Sequence, residues 1–175
     1  MKLNKRFVIY KHKKVLVTGH NGFVGSWLTA SLLKLKSQVF GISLKNKNKG
    51  FNYIVDKKDP NLIEIEQNIN DFKKINSIIK KLNPDFIFHL AAQPIVLVGY
   101  NEPLETIKTN ILGTSNILES VKQNKIKNCI IITSDKCYLN KENKKFFNED
   151  SQLGGDDIYS ASKACAEIMT RSFFL

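Results

Sequence analysis

Three glycines, Gly19, Gly22 and Gly25, break the sequence between an apolar run and an amphipathic one. Before them, Lys14-Val15-Leu16-Val17-Thr18 has the short, unbroken apolar profile of a parallel strand buried on both faces. After them, Val24, Trp27, Leu28, Leu32 and Leu35 recur at helical spacing, which predicts a helix beginning near Phe23. Glycines at such a junction allow a tight turn, close approach of a pyrophosphate, and close packing of helix on strand. The helix start then offers free N–H groups and the positive end of its dipole to the phosphates. Three glycines alone say little, and a turn that binds nothing is the bland alternative. A strand before, a helix after and first place in a βαβ unit mark a dinucleotide loop. Gly19, Asn21, Gly22, Phe23, Val24 and Gly25 are its candidate contacts.

The rest of the chain keeps the same alternation. Strands are predicted over residues 38–44, 62–65, 85–90 and 129–133, with a polar, lysine-rich loop over 45–60. Phe72, Ile75, Ile78, Ile79 and Leu82 repeat at helical spacing, and Pro84 follows them. A second long helix is predicted to open at Pro103, since proline suits the first turn, with Ile107, Ile111, Leu118 and Val121 on its apolar face. The last helix is predicted from about residue 157 to the end. Strands alternating with helices imply an α/β fold: a doubly wound parallel sheet in three αβα layers, the Rossmann fold. We assign residues 14–175 to this domain and residues 1–13 to a basic leader. The apolar end Phe173-Phe174-Leu175 carries no cap and no sixth strand, so an unfinished domain is expected.

Composition narrows the partners. At 175 residues, 42% apolar and 25% charged, the chain suits one soluble domain. No run approaches the ~20 apolar residues that span a bilayer, and the apolar stretch over residues 7–10 is too short for a secretory signal, so a cytoplasmic protein without membrane contact is expected. Cys129, Cys137 and Cys165 have neither pairing nor metal-ligand spacing, and no metal is expected. The net charge of +11 invites a nucleic-acid reading. Its lysines, however, are scattered among asparagines with few aromatics to stack bases, so we expect no nucleic-acid partner.

Two clusters carry chemistry. Tyr159 and Lys163 are four apart and share a helix face. An ammonium beside a tyrosine stabilises its phenolate, which can take a hydroxyl proton as hydride leaves for a nicotinamide. The bland alternative is a surface tyrosine and a solvated lysine. Thr133-Ser134-Asp135-Lys136-Cys137-Tyr138 stands at the carboxyl end of the fifth strand, where ligands of open α/β sheets bind. A hydroxyl and a carboxylate there can bind and protonate a sugar hydroxyl, although a merely hydrophilic strand exit would look similar. After the second strand, Gly41-Ile42-Ser43-Leu44-Lys45 lacks the acid that usually meets the ribose 2′-hydroxyl. With Lys45 there, charge alone leaves NADP open beside NAD.

Several motifs taken together resemble one family. They are Gly19-His20 with Gly25-Ser26-Trp27-Leu28, His89-Leu90-Ala91-Ala92-Gln93-Pro94, Thr109-Asn110 with Gly113-Thr114, the run from Thr133 to Tyr138, and Leu153-Gly154-Gly155 with Tyr159-Ser160, Ser162-Lys163 and Cys165-Ala166-Glu167. Spread from Lys14 to Phe174, they look like the CDP-glucose 4,6-dehydratases, extended short-chain dehydrogenase/reductases of the epimerase/dehydratase group. Most sugar-nucleotide 4,6-dehydratases carry Thr-Asp-Glu where this chain has Ser134-Asp135-Lys136, and the Asp-Lys-Cys-Tyr form and the Leu-Gly-Gly run point to the CDP-sugar branch. Two positions depart from the pattern. Val24 stands where that branch carries lysine, and Asn68 where an aspartate usually meets the adenine, although an amide can still pair with it.

The resemblance implies an NAD-dependent conversion of CDP-glucose to a 4-keto-6-deoxy sugar plus water, in deoxysugar and O-antigen synthesis, by a homodimer. In that chemistry NAD takes hydride from sugar C4, water leaves from C5 and C6, and hydride returns to C6. It implies Tyr159 as base, Lys163 as its electrostatic partner, Ser134 as donor to the C4 oxygen, Asp135 as acid for the leaving hydroxyl and Lys136 as the C5 base. That last role needs a lysine whose pKa is depressed. By the same resemblance Ser43, Asn68, Ile69, Leu90, Ala91, Ala92 and Asn110 join Tyr159 and Lys163 at the cofactor. Extended members hold the sugar nucleotide on a C-terminal portion, which this chain is expected to lack, and we expect little turnover from it alone. A sugar-nucleotide epimerase of the same superfamily and a non-catalytic dinucleotide-binding module are the other readings.

Overall fold

The computed structural model describes residues 5–45, 54–141 and 146–174. Residues 1–4 of the leader, residues 46–53 of the loop expected over 45–60, residues 142–145 and Leu175 lie outside them. Five parallel strands form one sheet in the order β3-β2-β1-β4-β5: β1 Lys14–Thr18, β2 Gln38–Ser43, β3 Leu62–Glu66, β4 Phe86–His89 and β5 Cys129–Ile131. β1 lies in the middle, with Val15 opposite Val39 on one side and Phe86 on the other. Because successive side chains point to opposite faces, this strand feeds two cores. Leu16 joins Phe40, Ile42 and Ile87 under α2 (Phe72–Leu82) and α5 (Gly113–Gln123), which supply Ile75, Ile79, Ile117 and Val121. Val15 and Val17 join Val39 and Phe88 under α1 (Phe23–Lys34), which supplies Leu32 and Leu33. Each such fully buried side chain contributes about 1.5–3 kcal/mol of transfer free energy. The sheet is thus covered on both faces.

Local signals fix the boundaries of α2. Asp71 accepts a hydrogen bond from the Lys74 N–H at its start (3.1 Å), and Asn83 adopts the left-handed conformation at its end (φ 43°) just before Pro84.

The segment after Pro103 departs from the single helix expected there. It runs as α4 (Pro103–Ile107), a π-turn (Lys108–Leu112) and then α5. A π-turn inserts one residue and rotates everything beyond it. Ile107 and Ile111 are only half-buried, and beyond the turn Ile117 joins Leu118 and Val121 in the core. A short helix not expected from the sequence, α3 (Val96–Asn101), precedes this segment, and α6 (Ile158–Phe174) packs against α3, α4 and α5.

The strand expected over residues 129–133 stops at Ile131. It is the last strand of the sheet, and both Ile130 and Ile132 remain exposed, so burial does not extend it. Within residues 1–13, a 3₁₀ turn over Lys5–Tyr10 brings Tyr10 onto the sheet, 4.9 Å from the Phe86 ring and 5.7 Å from the Phe88 ring. No helix among the described residues is long and apolar enough to cross a membrane.

Candidate active site

The carboxyl ends of β1 to β4 open into a cleft of about 450 Å³. Gly19, Asn21, Gly22, Phe23, Val24 and Gly25 line one side, with Ser43, Asn68, Ile69, Leu90, Ala91 and Ala92 around the rest. The turn is built so that side chains cannot enter it. Gly19 has φ +72°, and a Cβ on it would stand 2.8 Å from the Ala91 nitrogen. A Cβ on Gly25 would stand 2.0 Å from the Gly19 oxygen. The turn closes through Gly22 N–H to Gly19 O (3.0 Å), and α1 starts on Gly22 with no side-chain cap and no acid in its first turn. Its positive end therefore faces the cleft unneutralised, which fits a pyrophosphate.

Sequence reasoning missed Leu44, Gln67, Pro94, Glu105 and Thr109 as cleft residues, and it weighed Lys45 only for its charge. Gln67 leaves the carboxyl end of β3, so the strand-exit rule could have found it. Glu105 and Thr109 reach the cleft from α4 and the π-turn; no local pattern announces Glu105, while Thr109 stands in the Thr109-Asn110 motif.

Beneath the cleft runs a buried polar chain. Burial, helped by the charge of Lys163, pushes the His89 ring down to about 3, so the imidazole is neutral with one donor and one acceptor. The Thr18 hydroxyl accepts from the Ala91 N–H (3.2 Å) and shares a hydrogen bond with His89 Nδ1 (2.6 Å). Nε2 shares another with Thr114 Oγ1 (3.1 Å). One side chain thereby links β1, β4 and α5 directly under a cleft-lining residue.

Asn110, expected at the cofactor, sits behind the cleft instead. Its side chain is buried, accepts from the Gln93 N–H (2.8 Å) and donates to the Gln93 carbonyl (3.1 Å) and to Ser162 Oγ (2.9 Å). Ser162 Oγ in turn donates to the Tyr159 carbonyl (2.7 Å). This links the π-turn to the helix carrying the candidate base.

Tyr159 and Lys163 are both buried on α6. Lys163 Nζ donates to the Ile132 carbonyl (3.3 Å). Burial lowers the pKa of Lys163, and the nearby Cys137 and Glu167 oppose that only in part. Thr133 Oγ1 donates to Glu167, which ties the end of β5 to the same helix. Ser134, Asp135 and Lys136 occupy the 3₁₀ turn that follows (Asp135–Cys137) and packs against α6. Ser134 Oγ donates to Asp135 Oδ1 (3.0 Å) and accepts from the Lys136 N–H (3.2 Å). Asp157, at the start of α6, accepts from the Ser160 hydroxyl (2.6 Å) and N–H (2.9 Å). Burial raises its pKa, but these bonds and the charge of Lys136 hold it below the usual carboxylate range. The catalytic candidates thus gather at the β5–α6 junction, beside the cleft lined by the glycine loop rather than in its wall. Among the described residues no group of three or more His, Cys, Asp or Glu side chains is placed to hold a metal ion.

Comparison with known proteins gives this arrangement relatives. The sequence model of the GDP-mannose 4,6 dehydratase family matches residues 16–174. The CDP-glucose 4,6-dehydratase of Salmonella typhimurium is 39% identical over 98% of this chain and 47% of its own length. The dTDP-D-glucose 4,6-dehydratase of Dictyostelium discoideum is 30% identical over 93% of the chain and 40% of its own length. This chain therefore spans less than half the length of either relative. Among solved structures, a UDP-N-acetylglucosamine 4-epimerase from Methanobrevibacter ruminantium superposes with TM-score 0.84 at 29% identity, over 93% of this chain and 51% of its own. The Bordetella bronchiseptica enzyme WbmH, solved with NAD+, superposes with TM-score 0.80 at 27% identity, over 93% of this chain and 53% of its own. A glycine-built cleft on a five-stranded parallel sheet, together with a match over nearly the whole chain, places this protein in the GDP-mannose 4,6 dehydratase family.

Proposed function

We propose that this chain is the cofactor-binding and catalytic half of an NAD-dependent CDP-glucose 4,6-dehydratase. The observation that carries the reading is the meeting of two elements at one strand exit. Tyr159 and Lys163 on α6 pack beside the turn that holds Ser134, Asp135 and Lys136. NAD in the cleft would supply a hydride acceptor that also returns the hydride. Gly19 to Gly25 would hold its pyrophosphate, Ser43, Asn68 and Ile69 its adenosine end, and Leu90, Ala91 and Ala92 its inner wall. Asn110 would act from behind, by holding Gln93 and Ser162 in place.

Each catalytic side chain has one task. Tyr159 takes the C4 hydroxyl proton, and the buried ammonium of Lys163 stabilises the resulting phenolate. Ser134 donates a hydrogen bond to the C4 oxygen as it becomes a carbonyl. That carbonyl acidifies C5–H, so Lys136 can remove the proton while Asp135 protonates the hydroxyl leaving C6. Atoms balance: one water is lost, and the proton restored to C5 comes from solvent. The CDP-sugar choice rests on the likeness to the Salmonella enzyme. An epimerase would share the fold, as the Methanobrevibacter structure does, but an epimerase needs neither Asp135 nor Lys136 for elimination.

Mass spectrometry of CDP-glucose incubated with the protein and NAD in heavy water tests this. A product lighter by one water, carrying one deuterium and formed without net NADH, is expected in small yield, because the chain spans less than half the length of its dehydratase relatives. A product of unchanged mass with its C4 configuration inverted would replace the dehydratase by an epimerase.

A further inference from the structure

The glycine loop carries one side chain that the chemistry above does not use. His20 lies between Gly19 and Asn21, both in the cleft wall, yet its own ring is only 3% exposed. A buried polar ring needs a partner to offset the water it gives up. His20 Nε2 finds one across the sheet, 2.9 Å from Glu64 Oε1 on β3. Partial burial raises the pKa of Glu64, but hydrogen bonds from His20 and Lys57, with their charges, bring it below the ordinary value. Glu64 is therefore a carboxylate, which can only accept, so Nε2 carries the hydrogen and donates it. A hydrogen bond to an ionised partner is roughly twice as strong as a neutral one.

Gly41 makes the reach possible. It pairs with Glu64 in the β2–β3 register, directly between the loop and the carboxylate. A Cβ on Gly41 would stand 2.4 Å from His20 Cγ and 2.7 Å from Nδ1. The imidazole thus occupies the space that a side chain on β2 would fill.

We propose that His20 is a positioning residue of the dinucleotide site, fastening the glycine loop to Glu64 across the bare backbone of Gly41. The proposal rests on the NAD reading of the cleft. A loop with glycine at 19 and 22 has few side chains to hold it in one shape. The Asn21 amide reaches only the Leu44 carbonyl, at 3.4 Å and in the open. The His20–Glu64 bond instead joins two walls of the cleft across a third: it ties the loop to β3, which leads into Gln67, Asn68 and Ile69, over β2, which leads into Ser43. NAD needs all three in register, because its pyrophosphate and its adenosine fall on different walls.

Calorimetric titration of NAD into the 175-residue chain decides it, run with thermal unfolding on the same samples. His20→Ala and Glu64→Ala should each weaken NAD binding about tenfold, and the pair together no further, because both remove one bond. Glu64 is 38% exposed in its side chain, so its loss leaves the fold intact, and a Lys57→Ala control accounts for its other partner. The double variant His20→Ala/Gly41→Ala separates positioning from packing, because its new methyl fills space vacated by the ring. It should recover Tm while NAD binding stays weak. Affinity returning together with Tm, or single variants binding within twofold of the wild type, would overturn the proposal. Absence of NAD binding by the folded wild type would remove the dinucleotide reading itself, and this role with it.

Discussion

Acid should destabilise this protein through His89 before its carboxylates are fully protonated. In an unfolded chain histidine titrates near 6.5. In the fold the ring is wholly buried and falls to about 3, chiefly by burial and then by the charge of Lys163. Its folded pKa is depressed, so the stability it confers is fully present above about pH 6.5 and is lost as the pH falls toward 3. In that window the unfolded chain binds a proton that the folded chain refuses, which costs about 1.4 kcal/mol per pH unit. Between about pH 6.5 and about pH 4.5 the loss is roughly 2.3 kcal/mol, a large share of the 5–15 kcal/mol that stabilises an ordinary domain. Urea unfolding of the wild type and of His89→Gln, followed across this range, isolates the effect. Carboxylate titration is common to both and cancels in the difference. His89→Gln should be less stable near neutrality, because it disturbs the bonds to Thr18 and Thr114. The gap should then narrow by about 2–3 kcal/mol as the pH falls to about 4.5. A gap that stays constant over this interval would show that His89 takes up its proton in the fold as easily as outside it, and the buried neutral ring would be wrong.

Two shorter expectations follow from the same structure. Burial pushes the Cys129 thiol up to about 12, so at neutral pH iodoacetamide should leave it unmodified in the native chain and label it only after denaturation, as peptide mapping would show. Ile79 is fully buried in the core shared by α2 and α5, and Ile79→Ala should cost about 2–5 kcal/mol in chemical unfolding, whereas truncating the exposed Leu104 should cost under about 0.5 kcal/mol.

Much of this molecule is written in local signals. The apolar run before Gly19 and the helical spacing after Gly25 locate the first βαβ unit, because strand, turn and helix there each depend on neighbours a few residues away. Asp71 and Pro84 bracket α2 for the same reason. The family resemblance points to Ser43, Asn68 and the Leu90–Ala92 run, and these residues line the cleft wall. What stays hidden depends on contacts distant in sequence. Asn110 reads as a cofactor residue until the π-turn directs its amide to Gln93 and Ser162. His89 sits at the end of an apolar strand with nothing nearby to announce a chain from Thr18 to Thr114. His20 makes sense only once Gly41 and Glu64 lie side by side in the sheet. β5 is shorter than its isoleucines suggest, because a last strand of the sheet has a neighbour on one side only.

Hydrogen–deuterium exchange of the 175-residue chain, with and without NAD, tests the central claim most directly. Binding should slow amide exchange in three separated stretches together: residues 19–25, residues 67–69 and residues 90–92, which form the cleft wall. Protection confined to other parts of the sheet, or exchange unchanged at saturating NAD in a folded chain, would contradict the assignment of this cleft as the dinucleotide site.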